Sequence, residues 1–346
     1  MKQLLITGAA GHLGFELATQ LLRKDYKVTA SVRKPSPQSV ELARRGATII
    51  YLDLLDPAKV DEAIRGMDAV FQVAAVFDLT AKDPERQVVA PNLAMTENVL
   101  RACAKHSVAK LIYTSSIAAI GTTSGQPRGE SDWNLNSPEP YARSKALSEK
   151  LAWQLSKELG VEMVTVLPGT IWGPGGHHLT SSMQFIANIV SGDQPFAINS
   201  ELSLVDIRDV AEAHIRVFES DNAKGRYIAT HNTWSMRRIH QELLSIDSGL
   251  KTSAKVAPNW VARMFPALDW LKALITRSDR TITRAVIREY LGKKQLFDMP
   301  RLRTELGWSP RDTELTVADS LAWTRDFLGG ELKYLPTPAG ASPSAT

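Results

Sequence analysis

Cysteine is almost absent from this chain, because Cys103 is the only one among 346 residues. A single cysteine excludes a disulfide framework and a cysteine metal site within one chain. No uninterrupted apolar run is long enough to cross a bilayer, and Met1-Lys2-Gln3 leads directly into a predicted strand without a secretory leader. We therefore expect a cytoplasmic protein without a membrane partner.

A strong charge of one sign is also missing. Lys and Arg total 41 against 37 Asp and Glu, for a formal net charge of +4, and the basic residues are scattered along the chain. Nucleic-acid-binding proteins gather such residues into a patch or an arm. The sequence therefore predicts no nucleic-acid partner, and its 44% hydrophobic residues are enough for a large core.

Short β-rich segments alternate with helical patterns in the first half of the chain. This alternation is typical of parallel strands joined by helical crossovers, with helices on both faces of the sheet. We therefore predict an α/β fold with a doubly wound parallel sheet. The predicted strands lie near 3–7, 27–32, 48–52, 69–73, 110–114 and 162–167, and the helices begin near Gly11, Ser36, Pro57, Asn92 and Tyr141.

A glycine-rich loop joins the first predicted strand to the first helix. Gly8 permits a sharp turn, Gly11 lets the backbone approach a pyrophosphate, and Gly14 allows the helix to pack closely on the strand. Free N–H groups and the positive dipole end at the helix amino terminus suit phosphates. The loop from Thr7 to Gly14, with His12 and Leu13 at the helix start, therefore predicts dinucleotide binding in a Rossmann fold.

The second predicted strand ends without the acidic residue that many NAD-binding chains have there. Arg33 and Lys34 follow the strand instead. A carboxylate would bind a free ribose 2′-hydroxyl, whereas cations can bind a 2′-phosphate, so we predict NADP(H) in preference to NAD(H). A solvated surface role for Arg33 is the alternative. Asp53, after the third strand, either accepts from the adenine amino group or caps the strand end.

Tyr141 and Lys145 lie four positions apart on a predicted helix, so they share one face. The lysine ammonium, together with an oxidised nicotinamide ring, is expected to lower the tyrosine pKa and to suit it for proton transfer to a carbonyl oxygen. Thr114-Ser115-Ser116 ends the fifth predicted strand and offers a hydroxyl that could orient that oxygen. A serine that only caps the strand end is the alternative.

In this combination the chain resembles the extended short-chain dehydrogenase/reductase family, and within it the dihydroflavonol-reductase-like and cinnamoyl-CoA-reductase-like branch. The resemblance covers nearly the whole chain and implies a hydroxyl role for Ser116, a general-acid role for Tyr141 and a ribose-binding role for Lys145. The further cofactor contacts that it implies are Leu54, Val73, Ala74, Ala75, Thr114, Pro168, Gly169, Thr170 and Ile171.

The resemblance implies an NADPH-dependent reductase that converts a hydrophobic or aromatic aldehyde or ketone to the alcohol. A sugar-nucleotide epimerase or dehydratase of the same family is the first alternative. Ile117 and Ala118 follow Ser116 in place of the acidic pair of many dehydratases, which disfavours dehydration. A cofactor-sensing regulatory protein is the second alternative, and the loss of the tyrosine or the lysine would be its signature. Both residues are present.

The second half of the chain predicts a smaller lobe over the carboxyl ends of the strands, where open parallel sheets bind ligands. We expect the dinucleotide-binding domain to cover residues 1–175, with later returns near 203–231 that include Leu204-Val205-Asp206 and Arg226 to Thr230. The mostly helical substrate lobe would cover 176–202 and 232–335, and the tail at 336–346 is predicted to be disordered.

Aromatic and apolar residues in segments expected near the site mouth suggest an apolar substrate. The predicted substrate contacts are Ser116 together with Phe77, Trp172, Met183 and Phe185. His177 and His178 lack a third ligand at a recognisable spacing, so no metal is predicted. The apolar segment from Asn259 to Ile275 is interpreted as a packed lid or as a contact in a homodimer, with membrane-surface association as the alternative.

Overall fold

The computed structural model describes residues 2–78, 81–276 and 283–330. Its main sheet has seven parallel strands in the order β3-β2-β1-β4-β5-β6-β9. The strands are β1 (Gln3–Thr7), β2 (Lys27–Val32), β3 (Thr48–Tyr51), β4 (Ala69–Gln72), β5 (Lys110–Thr114), β6 (Met163–Pro168) and β9 (Gly225–Ala229). The chain order reverses between β1 and β4, and ligands bind at the carboxyl ends of strands at such a point.

Helices cover both faces of this sheet. One apolar cluster joins the sheet to α1, α2 and α7, and a second joins its other face to α3, α4 and α5. These layers confirm the predicted doubly wound fold. The helices are α1 (His12–Arg23), α2 (Pro37–Arg44), α3 (Pro57–Ile64), α4 (Ala90–Lys105), α5 (Pro140–Leu159), α6 (Ser181–Ser191), α7 (Ile207–Glu219), α8 (Met236–Ile246), α9 (Asn259–Thr276), α10 (Arg284–Tyr290), α11 (Arg301–Leu306) and α12 (Thr313–Leu328).

A second sheet of three strands lies outside the main one. It consists of β7 (Thr170–Trp172), β8 (Glu201–Asp206) and β10 (Asn232–Ser235), in the order β10-β8-β7. The expectation that Leu204-Val205-Asp206 returns to the main sheet is therefore wrong. β8 is the central strand of this second sheet, because it pairs in parallel with β7 and antiparallel with β10. The second return, at Arg226, is confirmed, since β9 pairs with β6.

A separate apolar cluster packs the second sheet against α6, α8 and α12. This part of the chain is therefore built from helices and a small sheet together. No helix among residues 2–78, 81–276 and 283–330 is long and apolar enough to cross a membrane. The predicted disordered tail at 336–346 lies outside the described residues.

Three buried histidines predict how the fold responds to acid. Burial lowers the pKa of His12, His214 and His240 from 6.5 to about 4. The unfolded chain therefore binds more protons than the folded chain between these values, and stability falls as the pH falls through this window. We expect each histidine to cost about 2 kcal/mol at pH 5 relative to pH 7.

Urea unfolding at pH 7 and pH 5 measures this effect. A His240→Gln variant should show a smaller difference between the two pH values than the unmodified chain does. Equal unfolding free energies at both pH values in the unmodified chain would contradict the assignment of neutral buried histidines.

Candidate active site

The glycine loop connects β1 to α1 at the reversal point of the sheet. Gly8 has φ +68°, a conformation that favours glycine, and a Cβ there would lie 2.9 Å from the Cα of Ala74. The Thr7 hydroxyl oxygen accepts from the backbone N–H groups of Val73 at 3.0 Å and Ala74 at 3.1 Å. These hydrogen bonds hold the loop against the end of β4. A cofactor that spans the ends of β1 and β4 would need the two to be close together in this way.

The amino terminus of α1 has donors available for an anion. Its N-cap is Gly11, which provides no side-chain cap. The first turn contains His12, Leu13 and Gly14, and the amino-terminal N–H groups of a helix have no partner within the helix. Together with the positive dipole end, these donors fit a pyrophosphate. The residues present therefore fit a dinucleotide at the predicted place.

The His12 side chain belongs to the packing of the loop. It is 8% exposed, stacks on Trp323 with ring centroids 6.4 Å apart, and places Nε2 3.4 Å from the carbonyl oxygen of Pro174. Any contact of this residue with a phosphate therefore uses its backbone N–H. The ring instead ties α1 to α12 and to the loop after β7.

Arg33 and Lys34 follow β2 and are exposed. Neither has an ion-pair partner within the part of the chain that the structure describes. A cation without a partner at this strand end is free to bind a phosphate. Asp53 lies exposed after β3, and its Oδ1 accepts from the N–H of Leu55 at 3.0 Å, so one carboxylate oxygen serves a local turn.

Ser116, Tyr141 and Lys145 are brought together at the carboxyl end of β5. The Ser116 hydroxyl lies near the Tyr141 phenol and acts on its pKa. Lys145 Nζ donates to the carbonyl oxygen of Thr114 at 3.1 Å. The Thr114 hydroxyl contacts Nε2 of His214 at 2.9 Å, which holds the strand end against α7. The Ser116 hydroxyl oxygen accepts from the N–H of Ala118 at 3.1 Å, so the serine caps the strand end.

The expected lowering of the Tyr141 pKa is wrong for the protein alone. Burial raises the pKa of Tyr141 to about 12; the nearby Ser116 hydroxyl opposes this rise, and the charge of Glu139 adds to it. Burial also lowers the pKa of Lys145 to about 8, against the opposing effect of Glu149. The reason is that burial of the Tyr141 phenol disfavours the phenolate by more than the expected attraction of the Lys145 ammonium favours it. Tyr141 is consequently protonated at neutral pH.

Glu139 fixes the start of α5 and with it the position of Tyr141. Its carboxylate accepts from the N–H groups of Tyr141 at 2.9 Å and Ala142 at 2.7 Å. The Ser137 hydroxyl accepts from the Glu139 N–H at 3.1 Å and donates to the carboxylate of Glu289 at 3.0 Å. The first turn of α5 is therefore linked to α10. Sequence reasoning missed both carboxylates, although Pro140 after Glu139 marks a helix start.

Two further buried groups support the site and were also missed. Asn92 exchanges hydrogen bonds with the backbone of Val76 and donates to the Ser144 hydroxyl at 2.8 Å. Glu149 accepts from the Ser115 hydroxyl at 2.8 Å and pairs with Arg226 through two bonds of 2.7 and 2.9 Å. The first group joins α4 to α5, and the second joins α5 to the residue next to Ser116. No local pattern in the sequence signals either group.

The predicted substrate contacts divide into two sets. Phe77 is 43% exposed and lies edge-on to Tyr141, with ring centroids 4.3 Å apart, so it borders the predicted catalytic group. Trp172 and Met183 are fully buried, and Phe185 stacks on Trp172 at 5.9 Å. The assignment of Trp172 and Met183 as substrate contacts is therefore corrected. Both residues form the core of the second lobe, in which they pack between β7 and α6.

The segment after β6 lies where the chain leaves the main sheet. The Gly169 N–H donates to the carbonyl oxygen of Ala229 at 3.0 Å, and the Thr170 hydroxyl donates to Gln295 at 3.3 Å. A Cβ at Gly169 would lie 2.6 Å from the carbonyl oxygen of Ser203. Pro168, Gly169, Thr170 and Ile171 therefore bridge the two sheets. Within residues 2–78, 81–276 and 283–330, no group of three or more His, Cys, Asp or Glu could hold a metal.

Comparison with known proteins identifies the family to which this chain is similar. The family model for the NAD dependent epimerase/dehydratase family matches residues 4–229. The chain is 34% identical over 272 residues to a cinnamoyl-CoA reductase of Medicago truncatula, covering 73% of this chain and 83% of that protein. It is 33% identical over 254 residues to a dihydroflavonol 4-reductase of Callistephus chinensis, covering 68% of this chain and 70% of that protein.

Among solved structures, the yeast methylglyoxal/isovaleraldehyde reductase Gre2, complexed with NADPH, superposes with a TM-score of 0.73. It is 20% identical and covers 94% of this chain and 99% of that chain. The chain belongs to the NAD dependent epimerase/dehydratase family, that is, the extended short-chain dehydrogenases/reductases. The predicted dihydroflavonol-reductase-like and cinnamoyl-CoA-reductase-like branch is confirmed by the curated relatives, as is the class of NAD(P)-dependent oxidoreductases.

Proposed function

We propose that this protein is an NADPH-dependent reductase that converts a hydrophobic or aromatic aldehyde or ketone to the alcohol. The observation that carries the proposal is the placement of Lys145 Nζ 3.1 Å from the carbonyl oxygen of Thr114 and of the Tyr141 phenol near the Ser116 hydroxyl, at the carboxyl end of the sheet. A carbonyl oxygen bound between these two hydroxyls would have an orienting donor and a proton source.

NADP(H) is the dinucleotide that the residues fit. Arg33 and Lys34 offer exposed cations to a 2′-phosphate, and the α1 terminus offers N–H donors to the pyrophosphate. The NADPH complex of the structurally similar yeast reductase supports the same choice. When bound, the reduced nicotinamide supplies the hydride. Lys145, whose Nζ donates to the carbonyl oxygen of Thr114, would hold the ribose of the cofactor.

The proton that the carbonyl oxygen takes up would come from a side chain of this protein. With a pKa of about 12, Tyr141 holds its proton at neutral pH and can release it to the alkoxide that forms as the carbonyl is reduced. Ser116 would hold the oxygen in place during the transfer. Phe77 covers one edge of the Tyr141 ring and remains 43% exposed, so it offers an apolar surface to an aromatic or aliphatic substrate.

A panel of aromatic and aliphatic carbonyl compounds tests this function. We expect aldehydes and ketones with apolar groups to cause loss of NADPH absorbance and to yield the corresponding alcohols. Polar carbonyl compounds of similar size are the matched controls, and we expect them to react more slowly. A protein that oxidises no NADPH with any of these carbonyls would contradict the proposal.

Replacement of Arg33 by alanine is expected to weaken NADPH binding and to leave NADH binding nearly unchanged. Loss of a charge-assisted contact to the 2′-phosphate should cost about 1.5–3 kcal/mol, a factor of roughly 10 to 150 in Kd. Fluorescence titration with both nucleotides measures the effect, and Arg23→Ala removes an exposed arginine at the far end of α1 as a control. Equal weakening of both nucleotides would refute the role of Arg33.

Alcohol oxidation, the reverse reaction, should accelerate with pH. The reverse direction needs the Tyr141 phenolate, whose fraction grows about tenfold per pH unit while the pH stays below a pKa of about 12. The rate of carbonyl reduction should vary little over the same range, because the phenol remains protonated. Initial rates in both directions between pH 7 and pH 9 measure this, and a pH-independent oxidation rate would contradict a tyrosine proton acceptor.

A further inference from the structure

The helix α9 leaves an apolar face exposed. Of its large apolar side chains, Trp260 is 65% exposed, Met264 50%, Leu268 53%, Trp270 54% and Leu274 62%. At about 100° per residue these five positions span roughly 160° of the helix surface. An exposed apolar patch of this kind marks a surface that binds another molecule or a membrane.

The opposite side of the helix faces the protein. Ala262 is fully buried, Pro266 is buried, and Asp269 is half-buried. Asp269 is the only acidic residue of α9, and it lies on this inward side by its position in the helix. The apolar face of α9 therefore has no acidic residue of its own helix. The inner side of α9 therefore packs on the protein, and its outer, apolar side is exposed.

Arginines border this face. A cleft of about 330 Å³ between α9 and α10 is lined by Arg263, Arg284 and Arg288 together with three apolar side chains. All three arginines are exposed, and none has an acidic partner in the part of the chain that the structure describes. The charge complementary to this rim is an anion such as a phosphate group.

We propose that α9 and the arginine cleft dock this protein onto the surface of an anionic lipid bilayer. The apolar face would enter the boundary between headgroups and acyl chains, where tryptophan is favoured, and the three arginines would bind lipid phosphates. This proposal replaces the expectation that the protein lacks a membrane partner. It is independent of the proposed reductase activity, because none of these residues belongs to the catalytic or cofactor site.

A second copy of the chain fits this surface less well. In a twofold dimer the same patch lies on both sides of the interface. In an antiparallel pairing of α9 with its copy, the arginine rims of both copies would lie on the same side of the interface. Repulsion between these cations would oppose such a contact, whereas an anionic bilayer supplies the opposite charge.

Vesicle co-sedimentation with the full chain tests the proposal. We expect binding to phosphatidylcholine vesicles that contain phosphatidylglycerol, weaker binding to phosphatidylcholine alone, and weaker binding in high salt. Leu268→Glu should lower the affinity at least tenfold. Leu315→Glu is the matched control, because Leu315 lies on α12 and is 51% exposed, against 53% for Leu268.

Replacement of Arg263, Arg284 and Arg288 by glutamine should lower affinity for the anionic vesicles on the order of 100-fold. Replacement of the exposed Arg23, Lys157 and Lys255 by glutamine removes the same charge elsewhere and should have a much smaller effect. Unchanged circular dichroism would show that each variant is folded. Absence of binding to anionic vesicles would overturn the proposal. So would equal binding by Leu268→Glu, or a dimer that Leu268→Glu dissociates and that binds no vesicles.

Discussion

Replacement of Tyr141 by phenylalanine is expected to lower kcat for carbonyl reduction by roughly 10²- to 10⁴-fold, because the proton donor is lost. The ring that packs edge-on against Phe77 at 4.3 Å is retained. Affinity for NADPH should therefore stay within about twofold of the unmodified protein. Steady-state kinetics and nucleotide titration on the same preparation separate the two effects.

The matched control for this variant is Tyr26→Phe. The Tyr26 hydroxyl donates to Glu219 at 3.1 Å on the α7 side of the protein, so its removal leaves the hydroxyls of the proposed active site in place. Full turnover is expected for the control. Comparable activity in the Tyr141→Phe protein would refute its assignment as the acid, and parallel loss of NADPH binding would indicate a structural role instead.

Replacement of Gly14 by alanine is expected to abolish tight cofactor binding. A Cβ at this position would lie 2.3 Å from the carbonyl oxygen of Gly8 and 2.9 Å from the Cα of Ala9. Both neighbours are backbone atoms, so α1 would have to move away from the loop that is proposed to bind the pyrophosphate. We expect NADPH affinity to fall by about 100-fold or more and stability to fall by about 1–3 kcal/mol.

The direction of the change in unfolding free energy distinguishes a steric clash from the ordinary effect of alanine in a helix. Alanine in a helix without such a contact stabilises relative to glycine by about 1 kcal/mol. Gly125→Ala is the control for the change from glycine to alanine alone, because Gly125 lies in a bend outside the helices and a Cβ there meets nothing within 4 Å. Thermal unfolding and nucleotide titration measure both variants. A Gly14→Ala protein that is more stable and binds NADPH normally would contradict the close packing of α1 on the loop.

The parts of the site that depend on local spacing could be predicted from the sequence. The roles of Gly8 and Gly14 could be predicted because the strand, turn and helix around them are adjacent in the chain. Tyr141 and Lys145 share a face because they are one helical turn apart. Ser116 lies near them in the structure because it follows β5 at the carboxyl edge of the sheet, where the helix α5 begins.

Features that depend on distant parts of the chain could not be predicted. The pKa of Tyr141 is set by burial, which no pattern around the residue reveals. The carboxylate of Glu289 reaches Ser137 across 152 positions, and that of Glu149 reaches Arg226 across 77. Trp172 resembles a pocket residue in sequence, but β7 directs it into the core of the second lobe.

Transfer of deuterium from NADPH that carries deuterium at both C4 positions to a carbonyl compound tests the central claim most directly. The proposed reductase should give an alcohol that carries deuterium on the carbinol carbon, with one NADPH oxidised per alcohol formed. The label should enter one face of the carbonyl, because the hydroxyls of Ser116 and Tyr141 hold its oxygen. Isomerisation of a sugar nucleotide with no net oxidation of NADPH, and no label in any carbonyl product, would contradict the account.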